Sequence, residues 1–598
     1  MIGSRNSIET VSDMTQQALI DSLPQHLRPF VKRQNYEQYT PQDHAAWRFI
    51  MSELTDQLAE SAHPVYLEGL ARTGISLDHI PSIEEMNDCL RDLDWRAVVV
   101  DGFIPPAIFM EFQALKILVI ALDMRSADHL LYTPAPDIVH ESAGHAPFIV
   151  DIDYAEFLQR FGEVGMKAIS TKADLEQYEV IRQLSILKAC PDSKDEDIAK
   201  TEQILKDLRE RDDTPSEATL LTRLHWWTVE YGLVGSIEDY KIFGAGLLSS
   251  LGESRRCVDD RRVRKIPLTV NAVNTPYDIT TEQPQLFVTK SCKHLTQVLE
   301  EFAASMCFMK GGAESVQKAI GAESVCTAVY DSGLQVSGRF SEVLCDVVGN
   351  ATYIRTEGPT QLAYKDKELF EHGVDTHAQG FGSPVGRLKD FHRCLSEYSV
   401  DELKTHGIRV GERVDLEYLS GITVRGILRE IVRHDHRNLL LSFDGCSVTD
   451  LEGQVLFSPD WGVYDLAVGS TIASVFGGVA DREKLQLFRP TPSGTATNLR
   501  VDENLMKAYS AVADLNTRAK PVDVDELAPE LTNILSKYPN DWLIRSELLK
   551  AAAPGLKTSL NEQLRAIIER SPDTEAIIQR VLHHSNKIPR DTLPISTA

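Results

Sequence analysis

Two histidines with a glutamate between them form the clearest candidate in the sequence for binding a metal ion. His140, Glu141 and His145 lie in the segment PDIVHESAGH. Zinc proteases carry two histidines at positions i and i+4 of a helix, with a glutamate between them as general base. Here the second histidine stands at i+5, which a regular α-helix rotates by about 140° from the first. The spacing therefore disfavours a zinc hydrolase, although a deformation at Gly144, or a helix end there, would bring both imidazoles to one ion.

A metal held by two histidines needs at least one more ligand. Glu230 in HWWTVEYGL is surrounded in sequence by aromatic and β-branched residues, so we expect its carboxylate to be buried and to need a partner. Two histidines and one carboxylate form the facial triad that suits non-haem Fe(II) and dioxygen. On residue types alone the histidines could also be core or surface residues, and Glu230 could pair with an arginine. Ser249 and Ser250 lack the GxSxG turn of a serine hydrolase, so that alternative is weak.

The charge balance narrows the classes of partner. The chain has 598 residues, with 62 Lys and Arg against 88 Asp and Glu, which gives a formal net charge of −26. Nucleic-acid scaffolds and binders of anionic membranes use basic surfaces to neutralise phosphate, so neither is expected. The nine cysteines include no CxxC pair, and the first twenty residues lack the basic start and apolar run of a secretory signal. We therefore expect a cytoplasmic protein that acts on a small molecule.

The elements that must position these residues follow from hydrophobic periodicity. An apolar stretch at 107–125 and the segment around His140 are predicted as helices, and charged stretches over 167–219 as an outer helical pair. Beyond residue 320, short β-branched segments indicate a β-rich module, and helical spacing returns from about 500. The segments together predict a multidomain α+β fold: a mainly helical part that carries the candidate ligands, then a β-rich module and a C-terminal helical bundle. The predicted boundaries are a polar N-terminal segment at 1–36, the part with the candidate ligands at 37–310, which the resemblance described next implies to be a catalytic domain, the module at 311–500 and the helical domain at 501–598.

Three sequence blocks in a fixed order carry a resemblance to a known family. The first runs from Arg125 through LYTPAPDIVHESAGHAPFIVDIDYAEF, the second is HWWTVEYGL and the third is YKIFGAGLLSSLGE, with further similarity at DGFIPP and QPQLFV. Together they resemble the catalytic domain of the pterin-dependent aromatic amino acid hydroxylases, closest to the phenylalanine 4-monooxygenases. The resemblance implies a mononuclear Fe(II) enzyme that uses a tetrahydropterin and dioxygen to hydroxylate the ring of phenylalanine, or alternatively of tyrosine or tryptophan.

The resemblance also implies roles for single residues. His140, His145 and Glu230 fall on the iron ligands. Arg125 falls on the arginine that grips the substrate carboxylate, for which an ion pair with a nearby aspartate is the alternative. Asp137 has a position from which it would orient a ligating imidazole or cap the helix. The remaining positions line the amino-acid pocket at Thr133, Pro134, Trp226, Gly246, Ser249 and Ser250, and contact the pterin at Gly102, Ile104, Phe109 and Glu141.

The chain departs from the family in three respects. The interval from His145 to Glu230 is 85 residues, longer than usual, and the charged stretch over 167–219 accounts for the excess. His225 stands where animal members have a tyrosine beside the metal. About 290 residues follow the region of resemblance, so an inactive hydroxylase domain within an interaction platform is a less favoured alternative. In that part, His434 and His436 could suggest a second metal, but their charged neighbours favour a solvated face.

Overall fold

The computed structural model describes residues 16–102, 104–125, 130, 137–189, 193–211, 214–279, 281–489, 502–518 and 520–585. Thr133 and Pro134, which the sequence places in the substrate pocket, lie outside these ranges. Within them, α and β structure are mixed and a β-rich region lies between helical parts, as the sequence predicts. None of the described helices has both the length and the apolar composition that a bilayer span requires.

The first half of the chain is mainly helical. Its second helix begins with a capping box, in which the Thr40 hydroxyl accepts from the backbone N–H of Asp43 and the Asp43 carboxylate accepts from that of Thr40. The helices in chain order are α1 (Gln16–Ser22), α2 (Pro41–Ser61), α3 (Val65–Arg72), α4 (Ile83–Leu90), α5 (Pro106–Ala114), α6 (Ile152–Gly165), α7 (Lys172–Ala189), α8 (Asp195–Arg211), α9 (Glu217–His225), α10 (Ala245–Leu248), α11 (Glu253–Arg256), α12 (Cys292–Ala303) and α13 (Cys307–Lys310).

Two small sheets lie among these helices. In the first sheet the order is β1-β2-β3, with β1 antiparallel and β3 parallel to β2. In the second sheet the order is β5-β4-β7-β6. The strands are β1 (Val31–Lys32), β2 (Arg96–Val100), β3 (Ile117–Ala121), β4 (Leu233–Gly235), β5 (Tyr240–Ile242), β6 (Arg264–Pro267) and β7 (Gln285–Thr289).

The apolar stretch at 107–125 is not the single helix that its composition predicts. Helix α5 ends at Ala114, Lys116 has a left-handed φ of +58°, and the chain continues as β3. Every residue of β3 is buried. A strand that is buried on both faces has a continuous apolar sequence, so composition does not distinguish it from a buried helix. The prediction of one helix over this stretch is therefore wrong.

The polar N-terminal segment predicted at 1–36 is partly built into the core. Leu19, Leu27 and Phe30 are buried against Val98 and Phe112, and β1 pairs with β2. Residues 16–36 therefore belong structurally with the helical region that follows. The charged stretch over 167–219 contains α7 and α8, which pack against each other.

The region after α13 is rich in antiparallel strands. It contains α14 (Gly312–Ala322), α15 (Val400–Thr405) and two sheets. One sheet has the order β11-β10-β9-β8-β18 with β12 paired to β10, and the other has the order β13-β14-β15-β16 with β17 paired to β15. The strands are β8 (Val325–Tyr330), β9 (Leu334–Cys345), β10 (Ala351–Tyr364), β11 (Lys367–Glu368), β12 (Gly380–Pro384), β13 (Arg413–Glu417), β14 (Thr423–His434), β15 (Arg437–Thr449), β16 (Val455–Phe457), β17 (Tyr464–Ala467) and β18 (Ile472–Gly477).

The last described helices pack on the first half of the chain. The rings of Phe49 in α2 and Trp542 meet edge to face at 5.1 Å. Arg48 in α2 pairs at 2.7 Å with Glu547, which is 1% exposed. These helices share one hydrophobic core with α2, and that they form a bundle of their own stays a prediction. They are α16 (Glu503–Asn516), α17 (Pro529–Lys537), α18 (Trp542–Ala551), α19 (Pro554–Arg570) and α20 (Glu575–Ser585).

A buried charge cluster joins the segment after β18 to α5. Nε2 of His26 lies 2.9 Å from Glu111 of α5, and Nδ1 lies 3.2 Å from Glu483. Arg482 pairs with the other oxygen of Glu111 at 2.6 Å. Because a carboxylate faces each ring nitrogen, both nitrogens donate only when the ring is protonated. Burial lowers the pKa of His26, but the hydrogen bonds and charges of Glu111 and Glu483 outweigh it and raise the pKa above 6.5.

This cluster predicts that stability depends on pH. The contribution of His26 is fully present below pH 6.5, its unfolded pKa, and is lost as the pH rises through the higher folded pKa. Burial opposes the ionisation of Glu111, but His26 and Arg482 lower its pKa, so its contribution is lost only as the pH falls below about 4.5. We expect the urea midpoint of the full chain to fall as the pH rises above 6.5, and His26→Gln to weaken this dependence. The exposed His79→Gln is the control; an unchanged dependence in His26→Gln would contradict the assignment.

Candidate active site

Two short π-helices position the predicted metal ligands. Val139–His145 is a π-helix, in which backbone hydrogen bonds join residues five apart instead of four. Positions i and i+5 of such a helix lie on one face, and the Nε2 atoms of His140 and His145 are 3.2 Å apart. The local deformation that the sequence analysis considered is therefore present, and it brings the two imidazoles together despite the i+5 spacing.

Gly144 allows a second element to pack directly on this π-helix. A Cβ atom at Gly144 would lie 2.8 Å from the carbonyl oxygen of Ala245 in α10. This distance is shorter than Cβ atoms keep from other heavy atoms in proteins. Residue 144 is the i+4 position, where a zinc protease has its second histidine. A histidine there would push α10 away. The glycine therefore both excludes the protease pattern and holds the segment 245–249 next to the histidines.

Glu230 ends the second π-helix, Trp226–Glu230, and faces both histidines. Its Oε2 lies 3.3 Å from Nε2 of His140 and its Oε1 lies 3.3 Å from Nε2 of His145, and no side chain of the three is more than 18% exposed. Burial alone would raise the pKa of Glu230, but His145 and His140 hold it well below its usual range. The carboxylate is therefore ionised. Two imidazoles and a buried carboxylate that converge in this way fit a divalent transition metal.

Ser249 fixes the orientation of the His140 ring. Its Oγ donates to the carbonyl oxygen of Ala245 at 2.8 Å and lies 2.9 Å from Nδ1 of His140. A hydroxyl has one hydrogen to donate, so Ser249 accepts from Nδ1–H and leaves Nε2 with a lone pair. This is the tautomer that a ligating imidazole needs. The resemblance implies that Ser249 lines the substrate pocket and that Asp137 orients an imidazole or caps the helix, whereas in the described structure Ser249 contacts Nδ1 of His140.

We expect Ser249→Ala to weaken iron binding. Loss of a group that orients a ligating imidazole lowers metal affinity by about 10- to 100-fold. The measurement is a competition of the full chain with a chromogenic Fe(II) chelator under anaerobic conditions. Ser254→Ala is the matched control, because Ser254 is a buried serine of the same segment that donates to the backbone of Ser250. Equal affinities of the two variants would show that Ser249 does not support the ligand.

Arg125 and Asp137 form a buried bidentate ion pair. Nε and Nη2 of Arg125 lie 2.6 and 2.7 Å from the two oxygens of Asp137, and neither side chain is more than 3% exposed. Asp137 also accepts from the backbone N–H of His140 at 3.0 Å, which is the capping contact predicted for it. Asp137 therefore ties Arg125 to the first turn of the π-helix that carries the ligands.

The other residues predicted around the substrate lie near the ligands and are packed against protein. The indole of Trp226 stacks on the rings of Tyr277 and Tyr231, with centroids 4.2 and 4.6 Å away. Gly246 lies in α10, where a Cβ would come within 2.9 Å of Tyr231. Ser250 accepts from the backbone at the start of α11. A substrate ring stacked on Trp226 would therefore compete with two tyrosines.

The residues predicted to contact the pterin lie on the other side of His145. Phe109, Glu141 and His145 border one small cleft. Ile104 packs with Phe109 against the N-terminal core, and Gly102 has a left-handed φ of +68°, which glycine adopts readily. Burial raises the pKa of Glu141 to about 8, although His145 opposes the shift. The shift favours the protonated carboxyl, which is able to donate a hydrogen bond into the cleft.

His225 lies beside the ligands without belonging to the set. Its Nδ1 is 3.8 Å from Oε1 of Glu230, and its ring meets Phe109 and Phe161 edge to face, with centroids 6.1 and 5.1 Å away. Burial lowers the pKa of His225 to about 4, so the ring is neutral at pH 7. Among the residues that the structure describes, Nε2 of His225 has no hydrogen-bond partner. The histidine thus adds no charge next to the metal ligands.

Comparison with known proteins finds one family that matches the region of this site. The family described as biopterin-dependent aromatic amino acid hydroxylase matches residues 31–188 and 190–310. The phenylalanine-4-hydroxylase of Ralstonia nicotianae is 29% identical over 290 residues, which are 48% of this chain and 79% of the relative. That of Pseudomonas aeruginosa is 27% identical over 264 residues, 44% of this chain and 84% of the relative. The crystal structure of Chromobacterium violaceum phenylalanine hydroxylase with iron(III) and 7,8-dihydrobiopterin is 26% identical, covers 46% of this chain and 86% of that chain, and has a TM-score of 0.37.

Residues 31–310 therefore match the biopterin-dependent aromatic amino acid hydroxylases, and this match supports an enzyme of this kind. The curated relatives named above are phenylalanine-4-hydroxylases. The predictions of an oxidoreductase and of a pterin cofactor are confirmed by the family, and the predicted iron agrees with the donor set of His140, His145 and Glu230. The family match ends at residue 310 and leaves the β-rich region and the last helices outside it.

Proposed function

We propose that this enzyme is an iron(II)- and tetrahydropterin-dependent monooxygenase that hydroxylates the ring of phenylalanine to give tyrosine. The observation that carries the proposal is the convergence of His140, His145 and Glu230 within a biopterin-dependent hydroxylase domain. The names of the matching relatives support phenylalanine ahead of tyrosine and tryptophan.

His140, His145 and Glu230 would hold the iron. When bound, iron(II) together with a tetrahydropterin supplies the activation of dioxygen and two electrons. One contact favours the tautomer that a ligating imidazole needs: Nδ1–H of His140 donates to the Ser249 hydroxyl, so that Nε2 of the neutral ring is left for the iron.

Phe109 and Glu141 are the residues proposed to bind the pterin. Phe109 offers an aromatic ring against which a flat heterocycle stacks. Burial raises the pKa of Glu141, which favours the protonated carboxyl, and this group would donate a hydrogen bond to a ring acceptor. Both border the same cleft as His145, so a pterin held there lies next to the iron ligands.

Arg125 is proposed to orient the amino acid through its carboxylate. A guanidinium has five N–H donors, and contacts to Asp137 and to the backbone oxygen of Ser249 use three of them. We assign the other two to the substrate carboxylate. The ion pair with Asp137 restricts the motion of the Arg125 guanidinium, so less side-chain entropy is lost when the substrate binds.

The choice among substrates is tested by kcat/KM for the three aromatic amino acids under the same pterin and oxygen concentrations. We expect phenylalanine to exceed tyrosine and tryptophan by about tenfold or more, because a polar group or a larger ring is mismatched to a pocket built for phenyl. A higher value for tyrosine or tryptophan would reassign the substrate and leave the iron site intact.

A further inference from the structure

Three buried side chains in the β-rich region come together far from the catalytic ligands in sequence. His372 follows β11, His377 precedes β12 and pairs as an isolated bridge with Thr360 of β10, and Asp465 lies in β17. Each is 8% exposed. Strands β10, β11 and β12 belong to one sheet and β17 to the other, so the cluster lies where the two sheets meet.

The three nearest ligand atoms form a compact triangle. Nδ1 of His372 lies 3.3 Å from Nε2 of His377, and each of these nitrogens lies 3.8 Å from Oδ2 of Asp465. The point in the plane of these three atoms that is equidistant from them lies about 2.1 Å from each, and a tetrahedral ion slightly out of this plane stays close to the Zn–N and Zn–O bond lengths. The side chains therefore already have the spacing of ligands around one ion.

The backbone holds this arrangement in place. The N–H of Leu362 donates to the carbonyl oxygen of His372 at 2.9 Å, and the N–H of Thr360 donates to that of His377 at 3.1 Å. Asp465 lies opposite Ser442 in the β15–β17 pair, and the Ser442 hydroxyl donates to Oδ1 of Asp465. A hydrogen bond to the second oxygen of a ligating carboxylate is the usual support of a metal ligand.

The two imidazoles are within hydrogen-bond distance of each other, but the carboxylate makes no direct hydrogen bond to either of them. The separation of 3.8 Å between the carboxylate and each imidazole is longer than a hydrogen bond. The two imidazole nitrogens have room for at most one hydrogen between them. Leu362, Leu369 and Phe381 contribute to the apolar core around them, where a carboxylate is costly unless a cation compensates it.

We propose that His372, His377 and Asp465 bind a structural zinc(II) ion that joins the two sheets of the β-rich region. Two imidazoles and a carboxylate are zinc ligands, and the fourth position of the tetrahedron is left for water. The histidines that the sequence singled out, His434 and His436, are exposed at the turn between β14 and β15 and take no part in the cluster.

The test is the zinc content of the full chain, stripped with a chelator and then dialysed against a small excess of zinc. Zinc per chain is measured by elemental mass spectrometry. We expect two zinc ions per wild-type chain, one at this cluster and one at the catalytic ligands. A His140→Ala/Glu230→Ala chain should keep one ion, and so should Asp465→Asn, which preserves side-chain size. No ion in the His140→Ala/Glu230→Ala chain, or two in Asp465→Asn, would overturn the proposal.

A second pair of variants keeps the proposal testable if Asp465→Asn does not fold. In the His140→Ala/Glu230→Ala background, Ser442→Ala is expected to lower zinc affinity by about 10- to 100-fold. Ser447→Ala, on the same strand and facing Arg425 instead of Asp465, should leave the affinity unchanged. Equal zinc affinities of the two serine variants would contradict the site, as would the absence of zinc from the His140→Ala/Glu230→Ala chain.

Discussion

Replacing Glu230 by alanine is expected to reduce hydroxylation by about a thousandfold or more. Glu230 is the only carboxylate in the catalytic donor set, and without it His140 and His145 face an ion with no negative charge beside it. A metal contributes several kcal/mol to a reaction of this kind, and about 4 kcal/mol corresponds to a thousandfold change in rate. The measurement is pterin-dependent product formation by the iron-loaded full chain, together with bound iron per chain.

Glu238→Gln is the control for this prediction. Glu238 is an exposed glutamate in the loop between β4 and β5, so its replacement should leave iron content and turnover unchanged. Retention of iron and at least a tenth of the activity in Glu230→Ala would show that Glu230 is not a ligand.

Replacing Arg125 by alanine is expected to destabilise the fold as well as the site. The change leaves Asp137, which is 3% exposed, as an unpaired buried charge, and breaking a buried ion pair in this way costs about 3–5 kcal/mol. We expect a fall of that size in the free energy of unfolding, measured by chemical denaturation of the full chain. The KM for the amino acid should also rise in whatever fraction stays folded.

A double variant separates the ion pair from other effects of the arginine. Arg125→Ala/Asp137→Ala removes both charges, so it should be less destabilised than Arg125→Ala alone. Additive losses from the two single changes would mean that the pair contributes nothing to stability. Arg96→Ala serves as the control, because Arg96 is an exposed arginine at the start of β2.

The sequence predicts the identity of the candidate ligands better than the geometry that unites them. His140, His145 and Glu230 are identified from residue types and from the resemblance, yet their convergence depends on two π-helices. A π-helix has no periodic pattern that distinguishes it from an α-helix over one or two turns, so i+5 spacing is ambiguous from sequence. Gly144 was the available signal, since a glycine inside a helix often marks close packing.

Contacts between residues that are far apart in the sequence are harder to predict. The contact of Ser249 with Nδ1 of His140 depends on how α10 packs on the π-helix, and sequence spacing does not encode that packing. Arg125 pairs with Asp137 because the fold brings their two segments within ion-pair distance, and the sequence does not show that distance. The cluster of His372, His377 and Asp465 combines residues of two sheets, so no local sequence motif predicts it.

The most direct test of the central claim is a single turnover experiment with isotopically labelled dioxygen. The full chain is loaded anaerobically with iron(II), mixed with a tetrahydropterin and phenylalanine, and exposed to the labelled gas. We predict tyrosine that carries one labelled oxygen atom, in an amount matching the pterin oxidised. Oxidation of the pterin without labelled tyrosine, in a chain that has retained its iron, would contradict the assignment of this enzyme as a phenylalanine hydroxylase.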